Sequence, residues 1–346
     1  MNMERTMTTR WLELRQRLTG RVTTGIGAIV SGVVLIILVL MFYWSREPDV
    51  FNVREAALPH TAGDQSKLWP GVVTTSTLIE VTDTLLHKPG GYLSNDMFPP
   101  GVLMDNMPNW EFGVLVQVRD LAKALRNDLS RSQSQSTEDK DLQEAEPSFN
   151  YQNDAWILPS SESEYRDGRD ALQRYLTRLL DDNDQNAQFY ARADNLRDWL
   201  VLVEKRLGSL SQRLSASVGQ ERINIDIGSD VSAAGSTDER REISVKTPWL
   251  EIDDVFYEAR GTAWALIHFL HAAEIDFASV LSKKNAQVSL GQIIRELEGT
   301  QDTMWSPMVL NGTGFGFVAN HSLVMASYIS RANAAIIDLR RLLEQG

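Results

Sequence analysis

His268, His271 and Glu274 recur at three-residue steps in AWALIHFLHAAEIDF, a stretch whose apolar pattern is helical. Imidazole and carboxylate groups three or four residues apart can share a helix face, and that pairing suits divalent metals. Two successive steps of three drift around the axis, however, and carry His268 away from Glu274. A ferritin-like centre also needs a second Glu-x-x-His copy from another helix, and the chain has none. The three residues are therefore read as structural, with metal ligation as the alternative. No metal or other cofactor is expected.

Asp253, Asp254 and Glu258 form a second constellation beside Tyr257 and Arg260. Neighbouring carboxylates can divide acid and base roles when burial separates their pKa values, which makes these three the candidate catalytic residues. They also follow Thr247-Pro248 at the start of a helical stripe, where acidic side chains satisfy free amides and complement the helix dipole. Capping is the preferred reading. Elsewhere there is no Gly-x-Ser-x-Gly elbow and no Ser-x-x-Lys pair, and the chain has no cysteine, which excludes disulfides, thiolate metal sites and cysteine nucleophiles. His60, His87 and His321 stand apart from any nucleophile. The Gly-rich Asn311–Phe317 segment has no strand before it and is read as a turn rather than a phosphate loop.

The elements that must position these residues begin with an uncharged run from Val22 to Tyr43. As a helix it extends roughly 33 Å, enough to cross a hydrocarbon core of about 30 Å. Tyr43 and Trp44 close it with rings favoured at the headgroup level. Before it lie five arginines, and just after it Arg46 and Arg54, so the N-terminus is expected in the cytoplasm and the C-terminal part in the periplasm. A cleaved signal peptide is the alternative, but its apolar region is shorter and ends in small residues, whereas MFYWSREPDV follows here.

Net charge is −12, and −15 once the +3 of the first 21 residues is set aside. A chain this acidic gains nothing from phosphate backbones, so no nucleic-acid partner is expected.

Four segments follow the apolar run. Residues 44–70, with Pro48, Pro59, Gly63 and Pro70, read as a linker leading away from the bilayer. Helical stripes fill 71–218: one over Val72–His87, one from Asn109 through Leu115, Val118, Ala122, Leu125 and Leu129, and one through Leu196, Leu200, Val203, Leu207, Leu210 and Leu214. The last of these stripes serves either internal packing or pairing of two chains, so a homo-oligomer is an option. FNYQNDAWILP reads as extended. Over 219–247 the period changes to two at Arg222–Ile227 and Ile243–Val245, as in a hairpin or flexible insertion. Three further stripes occupy 248–346, the last through Met325, Ile329, Ala332, Ile336, Leu339 and Leu343.

The Arg-rich start, the single apolar helix, KPGGYLSNDMFPPGVLMDNMPNWEFGVLVQVRDLAKALRNDLSRSQSQS and then DVFYEARGTAWALIHFLHAAEIDF resemble a proteobacterial envelope family, domain-of-unknown-function family 2333, over nearly the whole chain. The resemblance implies an inner-membrane protein with a helical exported domain. It implies no activity and no site residues.

The fold expected is mainly α: a transmembrane helix over 22–43 after a cytoplasmic segment 1–21, then an exported antiparallel helical bundle, with room for a small β-hairpin insertion near 222–246. The function expected is that of a non-enzymatic scaffold or accessory subunit of a cell-envelope complex, with the inner-membrane bilayer and unidentified envelope proteins as partners. A ligand-binding or sensing module is the second reading, and an envelope hydrolase or metalloenzyme the third.

Overall fold

The computed structural model describes residues 2–132, 137–181, 186–223, 242–306, 308–312 and 317–345. Helix α1 (Asn2–Trp44) contains the uncharged run, and its Thr23–Trp44 part is, among the described residues, the one helix long and apolar enough to cross a membrane. None of its apolar window is buried by the rest of the chain, although Trp44 at its end packs against the bundle. A short α2 (Val53–Ala57) leads to α3 (Val72–His87), α4 (Asn106–Ala124, continued by a π turn to Leu129) and α5 (Leu142–Phe149). Then come α6 (Ser161–Leu179), α7 (Ala193–Ser215), α8 (Ile252–Asp276), α9 (Ala278–Lys283), α10 (Gln287–Glu298) and α11 (His321–Glu344). One ladder, β1 (Gln220–Ile223) with β2 (Glu242–Val245), pairs antiparallel with Gln220 opposite Val245. The rest of the alternating stretch expected over 222–227 lies outside the described residues.

The bundle is built around α8. Its residues from Ala259 to Leu270 are all buried, so neighbours surround it on every side. The single stripe read from the sequence was too narrow here, because a helix apolar nearly all round belongs in the centre of a core. Small residues make that position possible. A Cβ at Gly261 would lie 2.0 Å from the Trp110 carbonyl oxygen, and one at Gly113 would lie 2.1 Å from that of Glu258. The α4 and α8 backbones therefore touch, and the Thr262 hydroxyl donates to the Gly113 carbonyl at 3.3 Å.

Asn109 reaches Asp254, Gly113 abuts Glu258, and Leu121 lies with Phe269, so α4 and α8 run parallel. Helix α7 runs against them, with Arg206 on Asp120 and Arg213 on Glu258. The stripe from Leu196 to Leu214 is buried inside the bundle rather than offered at its surface. Helix α11 returns antiparallel to α7, with Gly208 beside Asn333 and Glu204 paired with Arg340. Its six predicted positions from Met325 to Leu343 are all buried. The residues read as a linker lie on the bundle, where α2, Phe51 and Leu68 pack over Val73 and Ala272. FNYQNDAWILP is not extended: Phe149 ends α5 and the remainder is an irregular loop.

The α4–α8 contact generates a prediction. Gly261→Ala forces two backbones apart and is expected to destabilise by about 1–3 kcal/mol or more. Gly208→Ala meets only an ordinary 3.5 Å contact, and is expected to be neutral or stabilising by up to ~1 kcal/mol. Denaturant midpoints of the solubilised protein compare the two.

Candidate functional site

Three polar side chains of α8, Arg260, Trp264 and His268, are spaced by four and so stack on one face. Their partners come from Glu47, Asp49 and Phe51, spaced by two, directly after α1. An extended chain advances about 6.7 Å over two residues and a helix about 6 Å over four, so the two rows stay in register. Arg260 Nε donates to both carboxylate oxygens of Glu47 at 2.8 and 2.9 Å, and its Nη1 donates to the Thr300 and Asp302 carbonyls. Trp264 Nε1 donates to the Asp49 carbonyl at 3.3 Å. The Phe51 amide donates to His268 Nε2 at 3.0 Å, and the two rings stack with centroids 3.9 Å apart. Trp44, the last residue of α1, packs over Gly90 and Leu93.

His268 is fully buried, and both ring nitrogens are engaged: Nδ1 donates to the Trp264 carbonyl at 2.7 Å while Nε2 accepts from Phe51. Burial, with a smaller contribution from His271, pushes its pKa down to about 4 and keeps the ring neutral. His271 points elsewhere, half exposed, with Glu274 at 3.5 Å and Glu298 at 3.9 Å. The structure thus separates His268 from the other two candidate ligands. Among the described residues no group of three or more His, Asp or Glu is arranged to hold a metal.

The carboxylates behave differently. Asp253 and Asp254 lie in the first turn of α8, where burial raises the Asp253 pKa and the nearby backbone amides partly offset that rise. Asp254 accepts from Asn109 at 2.7 Å. Burial first, then the neighbouring charges of Asp253, Asp105, Glu251 and Glu258, raise Asp254 to about 6. Glu258 is held by both Nη atoms of Arg213. These groups lie at the helix start and the α7–α8 junction, and among the described residues no nucleophile or imidazole faces them at hydrogen-bond distance.

With that geometry in place, the comparison with known proteins is informative in one respect. The family model described as an uncharacterised protein conserved in bacteria, DUF2333, matches residues 17–346. The chain belongs to the DUF2333 family. No curated protein and no solved structure matches it. The region matched to DUF2333 takes in the apolar part of α1, the Glu47–Phe51 strap and the whole bundle.

An open cleft of about 580 Å³ adjoins the strap. Its walls are Phe256, Met304, Trp305, Val324, Met325 and Tyr328, with Arg260, Asp302 and His321 as polar groups. His321 Nδ1 accepts from the Leu310 amide at 3.1 Å, and burial lowers its pKa. Beside it, Asn320 caps α11 through the Leu323 amide and bridges to Asn311. The start of the Gly-rich segment, Asn311 and Gly312, is therefore tied to this cap, with residues 313–316 outside the described set.

The sequence reading missed the pair that fixes the other loop of this region. Lys88 and Glu111, both fully buried, form an ion pair. Glu111 also accepts from the Leu93 and Ser94 amides, each at 2.8 Å, and from the Ser94 hydroxyl. Lys88 Nζ donates to the Gly91 carbonyl. A lysine before Pro-Gly-Gly and a glutamate on an otherwise apolar helix face were the available signals. Breaking such a pair leaves an uncompensated buried charge.

His268 generates a pH prediction. As pH falls through 6.5 the unfolded chain protonates this imidazole, while the folded protein resists until about 4. Protonation therefore favours unfolding across that window, costing up to about 3 kcal/mol by pH 4. His268→Gln removes the titration, so its stability relative to wild type is expected to rise by that amount from pH 7 to pH 4. Urea titrations at both pH values measure the difference.

Proposed function

We propose that this chain is a single-pass inner-membrane protein, with its N-terminus in the cytoplasm and its bundle in the periplasm, acting as a non-enzymatic scaffold or accessory subunit of a cell-envelope complex. The clamp of Glu47, Asp49 and Phe51 along α8 carries the reading. A signal sequence passes the same length and composition test as an anchor, but it must release the chain that follows it. Here that chain is a structural part of the bundle, beginning at Trp44 against Gly90. Between Met41 and Glu47, Ser45 is the one small residue, so the spaced pair of small side chains of a cleavage site is missing there.

A bundle clamped within a few residues of an anchor works next to the bilayer. Its charged side chains in the two candidate constellations are occupied by helix starts and ion pairs. What remains available is surface, which suits assembly with other proteins. The cleft of about 580 Å³ supports a second reading, a ligand-binding module that passes its signal to another membrane protein.

Crosslinking in native membranes, followed by mass spectrometry of the full-length protein carrying an N-terminal tag, tests the proposal. The expected result is an uncleaved, membrane-bound chain that retains its tag and captures a reproducible set of envelope proteins. Loss of the tag in the mature protein would contradict the anchor. A membrane-bound chain with only self-crosslinks would contradict the scaffold and favour the ligand reading.

A further inference from the structure

Outside α1, most of the large apolar side chains left in solvent lie at one end of the bundle, Val288 at the far end and Val50 on the strap being exceptions. Helices α4 and α8 are parallel, so the segments that precede them lie at the same end. Before α4, Phe98 is 78% exposed, and before α8, Trp249 and Leu250 are 72% and 76% exposed. Leu158, 90% exposed, precedes α6, and its loop is tied to the pre-α4 loop by Asn95 donating to the Ala155 carbonyl. Trp305, 93% exposed, follows the Asp302 carbonyl that Arg260 binds. Phe317 is fully exposed just before α11, where His321 meets Phe256 near the start of α8. Five separate segments thus place an exposed aromatic or aliphatic side chain at or near that end.

The apolar helix leaves the bundle at this end too. Trp44 packs on Gly90 and Leu93, at the base of the pre-α4 loop, and Glu47 reaches Arg260 in the third turn of α8. From there the strap runs toward His268, away from the rim. The far end offers a contrast: Val288 opens α10, whose C-terminal extension returns to α8 through Gln301 donating to the Arg260 carbonyl.

We infer that this rim, carrying Phe98, Leu158, Trp249, Leu250, Trp305 and Phe317, sits in the headgroup layer of the same bilayer that α1 crosses. The inference rests on the anchor reading of α1 and adds the surface on which the bundle lies. Aromatic and aliphatic side chains of this kind are favoured at that depth. Scattered single apolar residues need no explanation, but a cluster collected from five segments marks an interaction surface. The continuity of this rim with the end of the membrane helix selects lipid as the occupant. Charge does not drive the contact, because the same end carries Asp96, Asp105, Glu251, Asp253 and Asp254. Docking is therefore apolar, no stronger on anionic than on zwitterionic lipid, and not weakened by salt.

The absence of native cysteine makes the test direct. Full-length protein carrying a single Phe98→Cys, Leu158→Cys, Trp305→Cys or Phe317→Cys substitution is labelled with a fluorophore in phosphatidylcholine nanodiscs. Val34→Cys in α1 and Val288→Cys serve as references. The expected result is quenching of Val34 and rim labels by spin-labelled lipid, with shielding from aqueous iodide, and the reverse at Val288. If the Val34 label is quenched by lipid while the rim labels behave like Val288, the rim faces water and a protein partner replaces lipid as its occupant. If the Val34 label itself behaves like Val288, the anchor reading falls and this inference with it. Rim quenching that disappears in high salt would overturn the apolar account.

Discussion

The burial of α8 on every side is the constraint on which the other features depend. A central helix made only of apolar residues would need nothing further, but this one carries Arg260, Trp264 and His268 along one face. Removing such groups from water without partners costs several kcal/mol, most of all for the guanidinium. The strap from Glu47 to Phe51 satisfies all three, with a carboxylate, a carbonyl and an amide in register. The chain that follows the apolar helix is thus as much a part of the core as the helices themselves.

The opposite side of α8 is fixed by a different device. Gly113 and Gly261 bring the backbones of the parallel α4 and α8 together at a distance no side chain allows. That arrangement collects the segments before α4, α6, α8 and α11 at one end. The Lys88–Glu111 pair then holds the loop between α3 and α4 through two backbone amides and a carbonyl. Loops that face one way because helices start together create a surface with a common orientation, and α1 emerges from it.

Helix positions were most legible in the sequence where a single face is buried. The stripes of α7 and α11 are found as read, because the period of 3.6 reports one-sided burial, and Val72–His87 is found as a helix although its first two turns are buried all round. The surroundings of α8 were not legible, since an all-round apolar helix has no single stripe and its glycines signal close approach only once a partner is known. The same limit hid the clamp. Glu47, Asp49 and Phe51 lie more than two hundred residues from their partners, and Pro48 made that stretch resemble a linker. Spacing alone set His268 apart from Glu274 on the helix, yet only the structure supplies the Phe51 amide that engages its ring. Asp253 and Asp254 were readable as residues of a helix start, whereas the engagement of Glu258 by Arg213 depends on the fold.

The clamp gives the functional proposal its physical content: a bundle held in one attitude to its membrane helix, presenting one end to the bilayer and its sides to other proteins. A flexible tether would allow neither. The most direct test is hydrogen exchange of the 46–53 segment, above all the Phe51 amide, in full-length protein in nanodiscs. The account predicts that this amide exchanges as slowly as the core of α8. Exchange on the timescale of an exposed linker would contradict it.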